Sequence, residues 1–220
     1  MDPITIMEGI YIYDNVLSEN ECNSLINNIH GVNQSMDLNY INDIIEKRCN
    51  LPNSIFQKDS HVSMNHYNTQ FWYYDNILPE WKATKRDQGG HLPAHFDSVY
   101  IKSLNEKSLY TIIIYLSETD GDLKFDNIQV SPKIGRAVIF DLKHQHEALP
   151  NTNGTKYFIR SKIMYHRGDN IGTDTDKNAL DIYLNSIEIR KTNSYEADEL
   201  QEKAFSMSPL LERTILCLFD

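Results

Sequence analysis

Apolar positions in the first fifty residues are spaced first as in a strand and then as in helices. Ile10–Tyr13 predicts a short strand. Ser18 opens the pattern of a capping box, and apolar positions then recur at helical spacing, so a helix is expected from there to about Gly31. A second helix is predicted over about 37–49, before a Leu-Pro-Asn stop. These helices, within about 18–50, are expected to support a core formed elsewhere.

The middle of the chain has a different pattern. Between residues 71 and 163, short runs rich in Ile, Val, Tyr, Phe and Thr are broken by clusters of Asp, Asn, Gly and Pro, which is typical of antiparallel strands joined by turns. Several strands at this spacing predict a mainly β domain, a double-sheet jelly roll over about 70–166. The clearest predicted strands are Phe71–Tyr74, Tyr110–Leu116, Arg136–Phe140 and Tyr157–Tyr165.

Helical spacing returns in the last fifty residues. After Gly168 and a polar bridge, helices are predicted around 180–187, over about 196–205 and after Ser208-Pro209. The chain is therefore expected to consist of a β domain at 1–168 and a helical C-terminal extension at 169–220. The extension is expected either to cap the β domain or to recognise a partner.

Composition and charge mainly exclude some classes of protein and of partner. The 220 residues carry 31 acidic and 21 basic side chains, a formal net charge of −10, and this charge disfavours nucleic acid as a partner. No run reaches the roughly 18 apolar residues of a membrane span, and the N-terminus lacks a signal-peptide pattern. Three cysteines without a CxxC pair argue against a disulfide framework. The expectation is a cytoplasmic protein that does not bind membranes, of unknown oligomeric state.

His95, Asp97 and His146 are the residues that predict chemistry. Residues two apart in a strand project from the same face, so His95 and Asp97 bring an imidazole and a carboxylate together. His146 follows the predicted strand RAVIFD and can complete the set. Two histidines and one carboxylate leave positions open on an Fe(II) ion. The same donors suit zinc, so a zinc-type hydrolase is an alternative. His91 and His144 are competing ligands by residue type.

A cationic strand face follows the third candidate ligand. Lys156 stands ten residues after His146, at the start of a predicted strand, where a cation can face the carboxylate of a small dicarboxylic acid. By alternation, Lys156, Phe158 and Arg160 share one face, as expected of a strand that lines a polar pocket. The ten-residue interval favours His146 over His144 as the ligand.

These features occur in an order that resembles the prolyl 4-hydroxylase-type branch of the Fe(II)/2-oxoglutarate dioxygenases. The resemblance runs from about Ile10 to Arg167. The matching blocks are IYIYDNVLSENECNSLI, GGHLPAHFD, SLYTIIIYLSETDGDLKF and SPKIGRAVIFDLKHQHEALPNTNGTKYFIRSKIMY. The resemblance implies a double-stranded β-helix, which is the cupin-like form of the jelly roll.

The resemblance also implies roles for individual residues. Lys156 would bind the distal carboxylate of 2-oxoglutarate, and Tyr115, in a YLS that matches the family's YLN, would hold the same cosubstrate through its hydroxyl. Because the family's carboxylate anchor is Lys in some members and Arg in others, Arg160 is an alternative to Lys156. The Fe(II) ligands would be His95, Asp97 and His146.

Two positions depart from the family pattern. Leu92 stands where the family often has Tyr, and Asp122 replaces the second Gly of the family's GGxTxF-like turn. Both departures bear on the cosubstrate assignments rather than on the metal ligands.

The implied reaction is hydroxylation of a C–H bond with 2-oxoglutarate and O2 as cosubstrates, which releases succinate and CO2. Ascorbate is implied as a further cofactor. The expected substrate is a protein or peptide side chain, with proline first, and a small molecule stays open as an alternative. The non-enzymatic alternative is a catalytically silent jelly roll that binds a partner, and the presence of all three candidate ligands argues against it.

Overall fold

The structure, a computed structural model, describes residues 1–58, 69–168 and 172–216. Strands hold more of these residues than helices do. The strands are β1 (Ile4–Met7), β2 (Ile10–Tyr13), β3 (Gln34–Asp37), β4 (Ser54–Lys58), β5 (Thr69–Ile77), β6 (Glu80–Arg86), β7 (Leu92–His95), β8 (Ile101–Ser103), β9 (Glu106–Tyr115), β10 (Leu123–Phe125), β11 (Ile128–Val130), β12 (Ala137–Asp141), β13 (His146–Ala148) and β14 (Lys156–His166). The helices are α1 (Glu19–Ile26), α2 (Asn39–Arg48), α3 (Asp174–Ile189), α4 (Ser194–Met207) and α5 (Pro209–Leu216). The predicted fold class, mainly β with flanking helices, is confirmed.

Contacts divide the chain into two units. The first comprises residues 1–52, 75–98 and 108–164, and the second comprises residues 53–74, 99–107 and 165–220. The division does not follow the order of the chain, because β5, β9 and β14 each contribute residues to both units. The boundary expected at residue 168 stays a prediction.

The first unit is a jelly roll built from two sheets. In the larger sheet the strand order is β1-β2-β12-β9-β14, with β6 beside β14 and β3 beside β6. In the four-stranded sheet the order is β11-β10-β13-β7. The pairs that β12 forms with β2 and with β9 are antiparallel, as are those that β13 forms with β10 and with β7. The antiparallel jelly roll expected from the strand spacing is therefore present.

A hydrophobic core fills the space between the two sheets of this unit. Leu123, Phe125 and Val130 of the four-stranded sheet pack with residues of the larger sheet. Those residues are Ile10, Ile12, Ile113, Tyr115, Val138, Phe140 and Phe158. Strands β9 and β12 are buried along almost their whole length. This burial explains why they stand in the sequence as continuous apolar runs rather than as alternating ones.

Helices α1 and α2 lie in the first unit, close to their predicted positions. Ser18 and Glu21 form the predicted capping box. The expected end of α1 near Gly31 is wrong, because the helix ends at Ile26. Just beyond it, Asn28 donates from its side chain to the carbonyl of Ser24 at 3.1 Å, so a side chain satisfies a last-turn carbonyl that a continuing helix would have used.

The second unit combines short strand pairs with the three helices predicted in the tail. Strand β4 pairs antiparallel with β5, and β8 pairs with the start of β9. An apolar cluster that includes Leu104, Tyr183 and Leu211 joins β8 and its turn to the helices. The Lys107 ammonium and the Arg167 guanidinium each lie 4.7 Å from the ring centroid of Trp72. Among the described residues, none of the helices has the length and apolar character needed to span a membrane.

Gly135 and Gly154 offer a matched test of what close packing adds to backbone strain. Their φ angles are 73° and 71°. A Cβ at Gly135 would collide with the backbone carbonyl of Leu17, whereas a Cβ at Gly154 would meet no atom within 4 Å. Gly154→Ala is expected to cost about 1–2 kcal/mol from the positive φ alone. Gly135→Ala is expected to cost roughly 1–3 kcal/mol more, because the backbone must shift. Urea denaturation measures both losses, and equal losses would contradict this packing.

Candidate metal centre

The pairing of two strands in the four-stranded sheet brings three predicted site residues together. His95 ends β7, and His146 begins β13 directly opposite it. The two imidazole rings lie 4.4 Å apart between centroids. Asp97 follows β7, with Oδ1 3.7 Å from His95 Nε2. One ligand atom from each of the three side chains lies within 4.8 Å of the other two, so the cluster could hold a metal ion.

Backbone carbonyls orient both imidazoles of this cluster. His95 Nδ1 lies 2.8 Å from the carbonyl oxygen of Pro93, and His146 Nδ1 lies 3.1 Å from that of His144. Because a carbonyl can only accept, each Nδ1 carries the proton and donates. In the neutral imidazole, Nε2 then carries the lone pair, which is the form of histidine that binds a metal.

Asp97 is held by side chains from the larger sheet. The Thr111 hydroxyl donates to Asp97 Oδ2 at 2.5 Å, and Lys162 Nζ lies 3.2 Å from the same oxygen. Arg160 Nη1 approaches Oδ1 at 3.4 Å. Burial would raise the pKa of Asp97, but Lys162, the hydrogen bond from Thr111 and the other positive groups lower it to about 2. The carboxylate is therefore ionised and fixed in orientation.

Aromatic side chains shield His146 from solvent. Its ring lies 4.5 Å from Phe140 and 5.7 Å from Phe125 between centroids, and 5% of the residue is exposed. Burial lowers the pKa of His146, which favours the neutral imidazole. His95 is more open, with 29% of its side chain exposed. The cluster thus has one sheltered side and one side that solvent or a substrate can reach.

The donor set fits the metal that the sequence predicts. Two imidazoles and one ionised carboxylate match the ligands of non-heme Fe(II) centres, and three protein donors leave positions for other ligands. The same set would also accept zinc. This arrangement can support metal-dependent oxidation or metal-assisted hydrolysis.

The predicted cosubstrate residues fall into two places. Lys156 is buried, and its ammonium donates to the carbonyl of Gly121. Burial lowers the pKa of Lys156 to about 8, with a further contribution from Arg86. Tyr115 is also buried and meets Phe158 edge-on, with ring centroids 6.3 Å apart. Arg160 lies instead beside Asp97, so the structure places it at the metal cluster.

Gly121 sits against Lys156 for a steric reason. A Cβ at this position would lie 2.5 Å from Lys156 Nζ and 2.9 Å from the backbone nitrogen of Asn151. Backbone cannot yield to such a contact without a shift of the chain, so glycine is the residue that fits here.

The rival histidines lie elsewhere in the described structure. His91 is exposed, with Nδ1 3.4 Å from the carbonyl of Gly89. His144 Nε2 is 2.9 Å from the carbonyl of Glu8. Neither belongs to the cluster of potential ligands. His61 and His66 fall outside the described residues.

Sequence reasoning missed Thr111 and Lys162. Alternation along β14 could have found Lys162, since it continues the face of Lys156, Phe158 and Arg160. No sequence pattern marks Thr111. Its hydrogen bond to Asp97 depends on β9 lying next to that carboxylate in the fold.

The fold and the cluster together define a class of protein. A jelly roll that presents two histidines and a carboxylate on one side is an arrangement of non-heme Fe(II) oxygenases. Residues 81–163 match the model of the 2OG-Fe(II) oxygenase superfamily. That match contains the whole cluster and Lys156, and it confirms the resemblance to the Fe(II)/2-oxoglutarate dioxygenases that the sequence predicted. None of the curated proteins compared with the chain matches it.

Several solved structures are similar to the chain. The viral collagen prolyl hydroxylase vCPH from Paramecium Bursaria Chlorella virus-1, in its 2OG complex, is 16% identical over 74% of this chain and 99% of that chain, with a TM-score of 0.47. A prolyl hydroxylase from Trichoplax adhaerens, in complex with a hypoxia inducible factor oxygen degradation domain peptide fragment, is 12% identical over 70% of this chain and 83% of that chain, with a TM-score of 0.42. A Pseudomonas putida prolyl-4-hydroxylase is 19% identical over 43% of this chain and 54% of that chain, with a TM-score of 0.33.

Acid is expected to remove the stability that the paired Asp97 carboxylate supplies. Its pKa is about 2 in the fold, against 3.8 for an unperturbed group. The contribution is therefore nearly complete at about pH 5 and is lost progressively as the pH falls through 3.8 and then through about 2. It amounts to about 2 kcal/mol, of which roughly half is lost by pH 3.

Urea denaturation of the metal-free wild type and of Asp97→Asn at pH 5 and pH 3 measures this loss. The difference in free energy of unfolding between the two proteins is expected to shrink by about 1 kcal/mol between these pH values. Asp43→Asn, at an exposed position of α2, is the control. A difference that does not change with pH would show that the ion pairs around Asp97 contribute nothing to folding.

Proposed function

We propose that this protein is an Fe(II)- and 2-oxoglutarate-dependent dioxygenase that hydroxylates a C–H bond of a protein or peptide side chain. The observation that carries the proposal is the cluster of His95, Asp97 and His146 within the region that matches the 2OG-Fe(II) oxygenase superfamily. Proline is the leading substrate residue. The support for proline is the resemblance in the sequence blocks, so the choice of substrate depends on experiment.

In this proposal the three clustered side chains hold Fe(II). His95 and His146 use the ring nitrogens that do not donate to backbone carbonyls, and Asp97 supplies the carboxylate. Bound Fe(II) supplies the redox chemistry by which O2 converts 2-oxoglutarate to succinate and CO2 and the substrate is hydroxylated. The backbone carbonyls fix the imidazole orientations, and Thr111 fixes the carboxylate, as outer partners of metal ligands commonly do.

Lys156 and Tyr115 are proposed to hold the cosubstrate. A buried ammonium and a buried phenol hydroxyl can both donate to a carboxylate, and the charged donor gives the stronger bond. Arg160 contacts Asp97 at 3.4 Å, so we assign it to the metal centre, where its positive charge also favours an approaching anion. Ascorbate stays part of the proposal as a further reductant.

The test is succinate release from 2-oxoglutarate by the purified protein with Fe(II), with and without O2 and with and without ascorbate. Release is expected to require both Fe(II) and O2. His146→Ala is expected to lose bound iron. Its rate of succinate release is expected to fall by more than the roughly 10–100-fold that removal of an outer partner of a metal ligand costs. His144→Ala is the matched control, because His144 lies two residues away and contacts the Glu8 carbonyl outside the cluster.

The same assay separates the alternatives. Turnover of a substrate without 2-oxoglutarate or O2, with zinc bound, would favour the hydrolase. Absence of both turnover and bound metal would favour the silent binding module. A His146→Ala protein that keeps iron and activity would remove this residue from the site.

The substrate can be found by mass spectrometry of products that have gained one oxygen atom. Peptides and small molecules from a lysate are incubated with the enzyme, Fe(II) and 2-oxoglutarate, and the His146→Ala protein provides the background. A hydroxylated prolyl peptide is expected. A hydroxylated free amino acid or nucleobase would contradict the protein-substrate assignment and would leave the reaction class unchanged.

A further inference from the structure

Two cations face each other across neighbouring strands of the jelly roll. Arg86, at the end of β6, is directly opposite Lys156, at the start of β14. Directly opposed residues in an antiparallel pair project from the same face, and like charges in this position repel. The arrangement is therefore unfavourable unless something negative lies between or above them.

The Arg86 guanidinium has an unused donor. Its Nη1 is buried and has no hydrogen-bond partner among the described residues. The group lies 5.5 Å from the ring centroid of Phe158, which holds it in place from one side. Burial lowers the pKa of Arg86, but a guanidinium does not give up its proton in proteins. A buried, charged donor without a partner is costly, so Arg86 needs an acceptor that the described residues do not supply.

The nearby carboxylates do not bond to this guanidinium in the described contacts. Asp120 accepts hydrogen bonds from the backbone and side chain of Thr152 and from the backbone of Asn153. Asp122 and Asp120 affect Lys156 through space. Arg86 is thus next to a second cation and has a donor free for an outside acceptor.

Other parts of the same face connect this pair to the metal cluster. Phe158 and Arg160 follow Lys156 on the face of β14, and Arg160 reaches Asp97. Tyr115 packs against Phe158 at the same place. An acid bound at the cation pair would therefore lie along the strand face that leads to the metal ligands.

We propose that Arg86 binds the distal carboxylate of the dicarboxylic cosubstrate together with Lys156. This inference rests on the proposed function and adds to it a residue that the sequence motifs do not mark. Arg86 supplies a planar fork that can bind a carboxylate, and Lys156 supplies a point charge. The carboxylate neutralises the repulsion between the two cations.

The test is the Kd for 2-oxoglutarate, measured by titration calorimetry with Mn(II) in place of Fe(II) and without O2. Arg86→Gln is expected to weaken binding roughly 10–100-fold, because a charged hydrogen bond is lost. Arg86→Lys, which keeps the charge without the fork, is expected to recover part of the loss. Lys85→Gln is the matched control, because Lys85 is the adjacent cation on β6 and projects from the other face; it is expected to bind like the wild type.

A second measurement separates ligand binding from a structural role. Arg86→Gln removes repulsion in the ligand-free protein, so its Tm without metal or 2-oxoglutarate is expected to equal or exceed that of the wild type. The rise in Tm on adding 2-oxoglutarate is expected to be smaller in the variant.

Two outcomes would overturn the inference alone: wild-type affinity in Arg86→Gln, or weaker binding together with a lower ligand-free Tm, which would mean a structural role. If the wild type itself does not bind 2-oxoglutarate, the proposed function fails and the inference fails with it.

Discussion

The antiparallel pairing of β7 with β13 is the constraint on which the site depends. It sets His95 opposite His146, and a shift of the register by one residue would turn one of the two imidazoles to the other face of the sheet. Asp97 lies beyond this pair and is oriented by Thr111 and Lys162 of the larger sheet. The cluster therefore needs the two sheets to be packed together, and the core between them contributes to the chemistry by holding the ligands in one geometry.

Charge is distributed unevenly in this protein. The whole chain carries a formal charge of −10, yet Lys156, Arg160 and Lys162 share one face of β14, and Arg86 stands opposite the first of them. A local excess of positive charge attracts anions even in an acidic protein. Net charge is thus informative about large polyanionic partners and uninformative about a small acid that enters this region.

Local patterns predicted much of the fold and the main cluster. The two-residue spacing of His95 and Asp97, the capping box and the apolar runs of β9 and β12 are all properties of short segments. Strands β3 and β6 were missed because they are polar and lie toward the edge of the sheet. Arg86 and Thr111 were missed because their roles arise from which strands pair and in which register. Alternation correctly placed Arg160 on the face of Lys156, but it does not say which position along the strand lies beside the metal ligands.

Gly121 limits how the surroundings of the Lys156 ammonium can vary. A single added carbon there would meet the Lys156 ammonium and both the backbone and the Cβ of Asn151, so position 121 has no room for a side chain. Under the proposed function, selectivity between acids of different length would then depend on the neighbouring side chains of Tyr115 and Phe158, which can be exchanged for larger or smaller groups. Those two positions are the ones to vary for a longer or shorter acid, with Gly121 left unchanged.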